Sequence, residues 1–210
     1  EICFNTSLEG YLEVITDPSY AGQIITMTYP QIGNYGVNRE DCQSEKPALR
    51  GLVVRDMCQV PSNWRSELSL PDFLRENNVV AIEGVDTRAL VRHVRDNGAQ
   101  RAVLSTLDTD AESLLAKVRA SESIVGVNLA ETVSRSEKTT FGIDDLPKTQ
   151  AFALSAPAPV KYKVVAYDCG AKLSIFQNLV RVGCELTAVP WDTPAEDVLA
   201  MNPDGVFLSN

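Results

Sequence analysis

Residues 163–209 read KVVAYDCGAKLSIFQNLVRVGCELTAVPWDTPAEDVLAMNPDGVFLS, and this stretch decides the fold class. Apolar runs typical of strands covered on both faces alternate in it with segments that carry the spacing of amphipathic helices. The predicted strands are 163–167, 185–190 and 205–209, and the predicted helices are 170–182 and 193–201, the second opening with a capping box at Thr193-Pro194-Ala195-Glu196. The order βαβαβ predicts a parallel, doubly wound α/β sheet with right-handed crossovers. Because three strands are few for such a domain, we expect the sheet to continue past residue 210.

The residues before this stretch divide into a mixed α/β region and a linker. Short β-branched runs at 23–29, 51–55 and 79–82 predict strands, and Ser69 and Asp86 stand where helix N-caps are expected. Residues 132–161 are rich in Ser, Thr, Ala and Pro without a sustained period, which is typical of a linker. We therefore predict a first domain at 1–133, a linker at 134–161 and the beginning of a second, incomplete domain at 162–210.

Composition argues against several classes of protein. The 210 residues carry a formal net charge of −9, and since an acidic chain is repelled by phosphate backbones, we expect no nucleic-acid partner. No stretch approaches the roughly 20 consecutive apolar residues of a membrane span, so we expect no membrane partner either. Five widely spaced cysteines without a CxxC pair, and a single histidine, argue against a disulfide framework and a metal site. Free thiols favour a reducing compartment, most simply the cytoplasm.

Cys169 is a possible nucleophile with a more ordinary alternative. It follows a predicted strand and precedes a predicted helix, a position that favours a reactive thiolate. A nucleophile elbow, however, usually has glycines on both sides of the nucleophile, and only Gly170 flanks this cysteine. The one histidine, His93, lies in the other predicted domain. We therefore do not assign Cys169 a catalytic role.

Two weaker signals also have structural interpretations. The run Gly170-Ala171-Lys172 at a helix start could hold a phosphate, but it is far from a complete phosphate-binding motif, and close packing of helix on strand accounts for the glycine. Arg88, Arg92 and Arg95 share one face of the helix after Asp86. Such a face is more often solvated than bound to an acidic partner.

An ordered series of short motifs carries a family resemblance. In the first part of the chain the motifs are Phe4-Asn5-Thr6-Ser7, Gly10-Tyr11, Glu13, Thr16-Asp17-Pro18-Ser19-Tyr20, Gln23-Ile24, Thr28-Tyr29-Pro30, Ile32-Gly33-Asn34, Gly51-Leu52-Val53-Val54-Arg55-Asp56, Asp86-Thr87-Arg88 with Leu90, and Gly98-Ala99. In the second part they are Val165-Ala166-Tyr167-Asp168, Gly170-Ala171-Lys172, and Asn202-Pro203-Asp204-Gly205 leading into Phe207-Leu208-Ser209-Asn210. Apart from the linker, nearly the whole chain resembles the small, glutaminase subunit of glutamine-dependent carbamoyl phosphate synthetase.

The resemblance implies a fold, an activity and a partner. The first domain is then a swivelling β/β/α-type domain that contacts the large synthetase subunit. The second is the start of a flavodoxin-like class I glutamine amidotransferase domain. The parent enzyme is a glutamine-hydrolysing, ATP-dependent carbon–nitrogen ligase, a heterodimer or higher oligomer in which ammonia from L-glutamine passes through an internal tunnel to the large subunit. ATP, magnesium and bicarbonate are used there to make carbamoyl phosphate for arginine and pyrimidine biosynthesis, so no cofactor is expected in this chain.

The resemblance also limits which site residues are expected here. Family members follow Ser209-Asn210 with a glycine-rich segment, a nucleophile elbow and a His–Glu pair, none of which lies within the 210 residues. We therefore predict no catalytic residue in this chain and no glutaminase activity from it alone. Of the family's glutamine-contacting residues only the serine of the Asp17-Pro18-Ser19-Tyr20 motif maps here, so Ser19 is the predicted glutamine-binding residue. This role requires Ser19 to lie near Asn210 and the end of the 205–209 strand.

Two other interpretations remain. The 210 residues as they stand could be a non-catalytic interaction module, formed by a docking domain and an incomplete sheet. A nucleotide-binding doubly wound domain is the weaker alternative, because no glycine-rich phosphate loop follows Tyr167.

Overall fold

The computed structural model describes residues 1–147 and 157–209, which form two compact α/β units. The first unit is Glu1–Val127 and the second begins at Asn128. This division falls a few residues before the boundary after residue 133 that the sequence predicts. Each unit is built on a four-stranded sheet.

Parallel strands form the centre of the first unit. Its strands are β1 (Ile2–Asn5), β2 (Ile24–Met27), β3 (Gln31–Ile32), β4 (Gly51–Val53), β5 (Asp56–Met57) and β6 (Val80–Ile82), and its helices are α1 (Tyr11–Ile15), α2 (Leu70–Glu76), α3 (Thr87–Asn97) and α4 (Ala111–Ala120). The main sheet has the order β1-β2-β4-β6 with every neighbouring pair parallel, and β3 pairs with β5 in a separate two-stranded parallel sheet.

Strand β2 shows why this sheet is covered on both faces. All four of its residues are buried. Ile25 and Met27 pack into the core that includes residues of α1 and α2, whereas Ile24 packs on the other side with Val94 of α3. Alternate side chains of a strand point to opposite faces, so an uninterrupted apolar run produces two cores. The β-branched run at 23–29 predicts the strand, and the structure adds that both of its faces are buried.

The second unit confirms the predicted doubly wound sheet. Its strands are β7 (Thr139–Phe141), β8 (Tyr162–Asp168), β9 (Cys184–Pro190) and β10 (Gly205–Leu208), and its helices are α5 (Ala130–Val133), α6 (Leu173–Arg181) and α7 (Ala195–Ala200). The strand order is β10-β8-β9-β7, with β10, β8 and β9 parallel. Phe176 of α6 packs with Ala166 of β8 on one face, and Val198 of α7 packs with Val165 on the other.

The segment predicted as a linker contains ordered structure. Thr139–Phe141 forms β7, which pairs antiparallel with β9 at the edge of the second sheet, and Phe141 is buried against Phe176. Three residues with one buried side chain are too few to produce a periodic pattern, which is why the sequence did not predict this strand. Residues 148–156 of the predicted linker lie outside the described residues.

The sequence predicted the starts of α2 and α3 correctly, but not those of α6 and α7. Ser69 and Asp86 cap α2 and α3 as expected, accepting from the amides of Asp72 and Ala89. The capping box expected before α7 does not form, because Pro194 takes the N-cap position and the Thr193 hydroxyl donates to the carbonyl of Pro190. Helix α6 begins at Leu173 and not at residue 170, since the preceding residues turn around the Asp168 carboxylate.

Candidate functional site

Ser19 lies in a short 3-10 turn, Pro18–Tyr20, between α1 and β2. The Asp17 carboxylate caps this turn by accepting from the Ser19 backbone N–H at 2.9 Å, and Pro18 fixes the first position of the turn. The Ser19 residue is exposed, and within residues 1–147 and 157–209 its hydroxyl makes no hydrogen bond. A hydroxyl that can both donate and accept is therefore presented on a fixed backbone.

Tyr20, the next residue of the motif, anchors the turn to the sheet. Its hydroxyl accepts from the Asn5 side-chain amide at 2.9 Å, and Asn5 is the last residue of β1. The Asn5 side-chain oxygen in turn accepts from the Ser7 N–H at 2.8 Å. The Asn5 and Ser19 motifs, which lie apart in the sequence, are thus joined by Tyr20.

Tyr35 holds the loop before α1. Its hydroxyl accepts from the N–H groups of Gly10 and Tyr11 at 2.9 and 3.1 Å, and its ring stacks on that of Tyr11 with the centroids 4.1 Å apart. Tyr11 donates its own hydroxyl to the carbonyl of Gly36 at 2.6 Å. Burial raises the pKa of Tyr35 to about 12, so the hydroxyl stays neutral at physiological pH. These motif residues therefore form a scaffold for the start of α1.

In the second unit, the carboxyl ends of β8 and β10 form the expected ligand position of a doubly wound sheet. The chain passes from β8 to β9 on one side and then returns to β10 on the other, so the order of strands reverses between β8 and β10. Ligands of such sheets bind outside the carboxyl ends of the strands at this reversal. Asp168 ends β8 there, and Ser209 follows β10.

Hydrogen bonds close this edge of the sheet. The N–H of Cys169 donates to the Ser209 hydroxyl at 2.8 Å, and the N–H of Ser209 donates to the carbonyl of Tyr167 at 3.2 Å. The Asp168 carboxylate accepts from the N–H groups of Gly170 and Ala171, both at 3.0 Å. The turn after β8 is thus fixed from within, and Gly170 has the positive φ of 104° that glycine adopts without strain.

The other residues that the sequence singled out are distributed over the two units. Cys169 lies on the fixed turn after β8, and His93 is exposed on α3, where its Nε2 lies 3.4 Å from the Gln100 side-chain oxygen. These two residues belong to different units. The three arginines of α3 are all exposed, as expected of a solvated helix face, namely Arg88, Arg92 and Arg95.

The predicted proximity of Ser19 to the chain end stays a prediction. Asn210 lies outside the described residues, and Ser19 belongs to the first unit whereas β10 belongs to the second. The first unit has the exposed Ser19 hydroxyl on a capped turn. The second unit has the hydrogen-bonded ends of β8 and β10, where the strand order reverses.

One pair near the second site was not predicted. Arg135, which lies in the expected linker, contacts the Asp168 carboxylate with its Nε at 2.9 Å. The two residues are 33 positions apart, and neither lies in a charged pattern that would identify the other. The pairing of β7 with β9 places Arg135 close to the end of β8.

In the described ranges, no cluster of three or more His, Cys, Asp or Glu side chains is arranged to hold a metal ion. None of the helices in this part of the chain has the length and apolar character that crossing a bilayer requires.

Comparison with protein families gives two matches in order along the chain. Residues 1–104 match the CPSase domain of the carbamoyl-phosphate synthase small chain. Residues 165–210 match class-I glutamine amidotransferase. The second match begins within β8 and so covers the strand edge described above.

Curated relatives are similar over the whole chain. The carbamoyl phosphate synthase small chain of Syntrophotalea carbinolica is 53% identical over 210 residues, which are 100% of this chain and 56% of that protein. The small chains of a Synechococcus species and of Pseudomonas putida are 44% and 47% identical, again over 100% of this chain and over 53% and 56% of theirs. The chain thus spans about half the length of the curated relatives it matches.

Proposed function

The chain belongs to the carbamoyl phosphate synthase small chain family, and from this we propose that it serves the glutamine-dependent synthesis of carbamoyl phosphate. The observation that carries the proposal is the order of the two matches, with a CPSase domain at residues 1–104 followed by the start of a glutamine amidotransferase domain at 165–210. Under this proposal the complete protein hydrolyses L-glutamine to glutamate and ammonia.

The proposed chemistry is acyl transfer from a carboxamide. A thiol gives its proton to a neighbouring base and adds to the amide carbon. The base returns the proton to the nitrogen, so that ammonia leaves as the C–N bond breaks, and water then hydrolyses the thioester to release glutamate. The fixed turn after β8 and the end of β10 support a ligand site, because they stand at the reversal of the sheet. The nucleophile and its His–Glu partners are the residues that the family resemblance places after residue 210.

Ser19 is the residue of this chain that we propose to contact glutamine. Its turn is capped by Asp17, its backbone is fixed, and its hydroxyl is exposed. A hydroxyl held in this way can donate to the substrate carboxylate or accept from its ammonium group without first losing backbone freedom.

We further propose that these 210 residues by themselves do not hydrolyse glutamine. A thiol nucleophile needs a base and oxyanion donors next to it. The single histidine of the chain, His93, is exposed on α3 and contacts Gln100, and the N–H of Cys169 is engaged by Ser209. Ammonia release by this chain, abolished when Cys169 is alkylated, would overturn the proposal.

The proposed partner is a large synthase chain, which would use ATP, magnesium and bicarbonate. Ammonia becomes protonated in water and then loses its nucleophilicity, so its source and its consumer must be sealed against each other, which calls for a large interface. The first unit has the exposed apolar side chains Val60 and Trp64, 80% and 85% exposed, on the loop between β5 and α2. Exposed tryptophan is enriched among residues that dominate interface energies, which supports a partner-binding role for this unit.

The cellular setting follows from the same proposal. We infer a cytoplasmic enzyme that supplies carbamoyl phosphate to arginine and pyrimidine biosynthesis. Free cysteines, each without a disulfide partner among the described residues, are compatible with a reducing compartment. The experiment that tests the proposed function compares glutamine with ammonia as the nitrogen source for carbamoyl phosphate synthesis.

A further inference from the structure

Arg135 and Asp168 form a largely buried ion pair in the second unit. The Arg135 Nε lies 2.9 Å from Asp168 Oδ2, and the two side chains are only 19% and 7% exposed. The backbone N–H of Arg135 approaches the same oxygen at 3.4 Å. A buried pair of this kind gives little net stability, because the cost of desolvating both charges offsets their attraction. Fold stability alone is therefore a poor explanation for it.

The other oxygen of Asp168 shapes the turn after β8. Oδ1 accepts from the N–H groups of Gly170 and Ala171, both at 3.0 Å. With Oδ2 bound to Arg135, both oxygens are engaged inside the protein and the residue is 5% exposed. The Asp168 carboxylate thus stabilises the turn through hydrogen bonds to its N–H groups, and neither oxygen is left to bind a ligand.

The turn after β8 is hydrogen-bonded to the end of the neighbouring strand, β10. The N–H of Cys169, between Asp168 and Gly170, donates to the Ser209 hydroxyl at 2.8 Å. Ser209 follows β10, the strand on the far side of the reversal in strand order. A shift of the turn would therefore move the edge at which a ligand of this sheet is expected to bind.

Arg135 is itself held on several sides. Its guanidinium carbon lies 5.1 Å from the centroid of the Phe141 ring and 5.3 Å from that of Phe176, within the range of a cation–π contact. The preceding residue, Ser134, accepts from the N–H of Trp191 after β9 at 3.0 Å. The segment before β7 is thus fixed to the ends of both β8 and β9.

We propose that Arg135 is a positioning residue for the glutamine site and acts through Asp168. The pair holds the 169–171 turn so that the edge between β8 and β10 is already in its binding geometry before substrate arrives. This inference rests on the proposed glutamine-dependent function. A site held in advance avoids the entropy cost of ordering the turn on binding, so loss of the pair should first affect the use of low glutamine concentrations.

Steady-state kinetics of the complete small chain in complex with its large chain test this role. We expect Arg135→Ala to raise KM for glutamine about tenfold while synthesis from ammonia is unchanged. Arg135→Lys, which keeps the charge, should recover part of the loss. Lys138→Ala is the matched control, since Lys138 is exposed, lies on the same segment and also carries one positive charge.

Hydrogen exchange in the same complexes gives a second readout that does not need turnover. The N–H groups of Gly170 and Ala171 should exchange faster in Arg135→Ala than in Lys138→Ala, because their acceptor is no longer held. If the unaltered complex uses no glutamine, the proposed function fails, and the exchange rates still decide whether Arg135 holds the turn.

Three results would overturn the inference itself. The first is an unchanged KM for glutamine in Arg135→Ala. The second is an equal loss of activity with glutamine and with ammonia, which a purely structural residue would produce. The third combines two findings: the Arg135→Ala chain does not fold, and the Arg135→Lys chain loses activity equally with glutamine and with ammonia.

Discussion

The backbone N–H of Cys169 donates to the hydroxyl of Ser209 at 2.8 Å, which joins residues 40 positions apart at the ends of two neighbouring strands. A second bond, from the N–H of Ser209 to the carbonyl of Tyr167, closes the same edge at 3.2 Å. The amide of Cys169 thus binds a protein group and not a ligand. The backbone of Cys169 takes part in the sheet edge at which the proposed site lies.

Ser19→Ala in the complete small chain should weaken the use of glutamine by about 0.5–1.5 kcal/mol, the net contribution of one neutral hydrogen bond. That corresponds to a rise in KM of roughly two- to tenfold. Synthesis from ammonia should be unaffected, because ammonia does not pass through the glutamine site. Steady-state rates at varied glutamine and at saturating ammonium measure both values.

Ser123→Ala is the matched control for this change, since Ser123 is also an exposed serine of the first unit and lies outside the loop of Val60 and Trp64. It should leave both nitrogen sources unaffected. An equal loss with glutamine and ammonia in Ser19→Ala would make Ser19 a structural residue and contradict the proposed contact.

Tyr35→Phe should destabilise the first unit. The ring can still stack on Tyr11, but the N–H groups of Gly10 and Tyr11 lose their shared acceptor. Leaving partly buried donors without a partner costs about 1–3 kcal/mol. The urea midpoint should fall, whereas Tyr29→Phe, at a residue 36% exposed, should leave it unchanged. Equal midpoints for the two variants would show that the Tyr35 hydroxyl does not hold the loop.

The thiols of Cys3 and Cys42 should react slowly at neutral pH. Burial raises the pKa of each to about 11, so the thiolate fraction is small below that pH and grows tenfold with each pH unit up to it. At pH 8, alkylation by iodoacetamide should be roughly 100-fold slower than that of a free thiol such as glutathione. Mass spectrometry of each site at pH 8 and pH 10 measures the alkylation rates, and rates at pH 8 that match glutathione would contradict the raised pKa values.

The sequence predicted the centre of the second sheet well because β8 and β9 are buried on both faces. Apolar runs such as that of β8 and the amphipathic spacing of α6 follow from this burial, so they are visible without the structure. Strand β7 is different, because it is three residues long and lies at the sheet edge with one buried side chain. Its pairing with β9 depends on residues more than 40 positions away, and no local pattern encodes that partner.

Some features of the candidate site could also be predicted from local sequence, whereas others depend on tertiary structure. Asp17 and Pro18 predict a turn at Ser19 from local chemistry, and the structure has that turn. The contact of Arg135 with Asp168 depends on the tertiary position of β7 and could not be predicted from either residue. The missing cap at Thr193 has a local cause, because the hydroxyl has a competing acceptor in the carbonyl of Pro190.

The proposed function is tested most directly by the nitrogen source. The complete small chain and its large chain should make carbamoyl phosphate from glutamine, bicarbonate and ATP, while the large chain alone should do so from ammonia and not from glutamine. If glutamine supports no synthesis in the complex under conditions where ammonia does, the proposed function is contradicted.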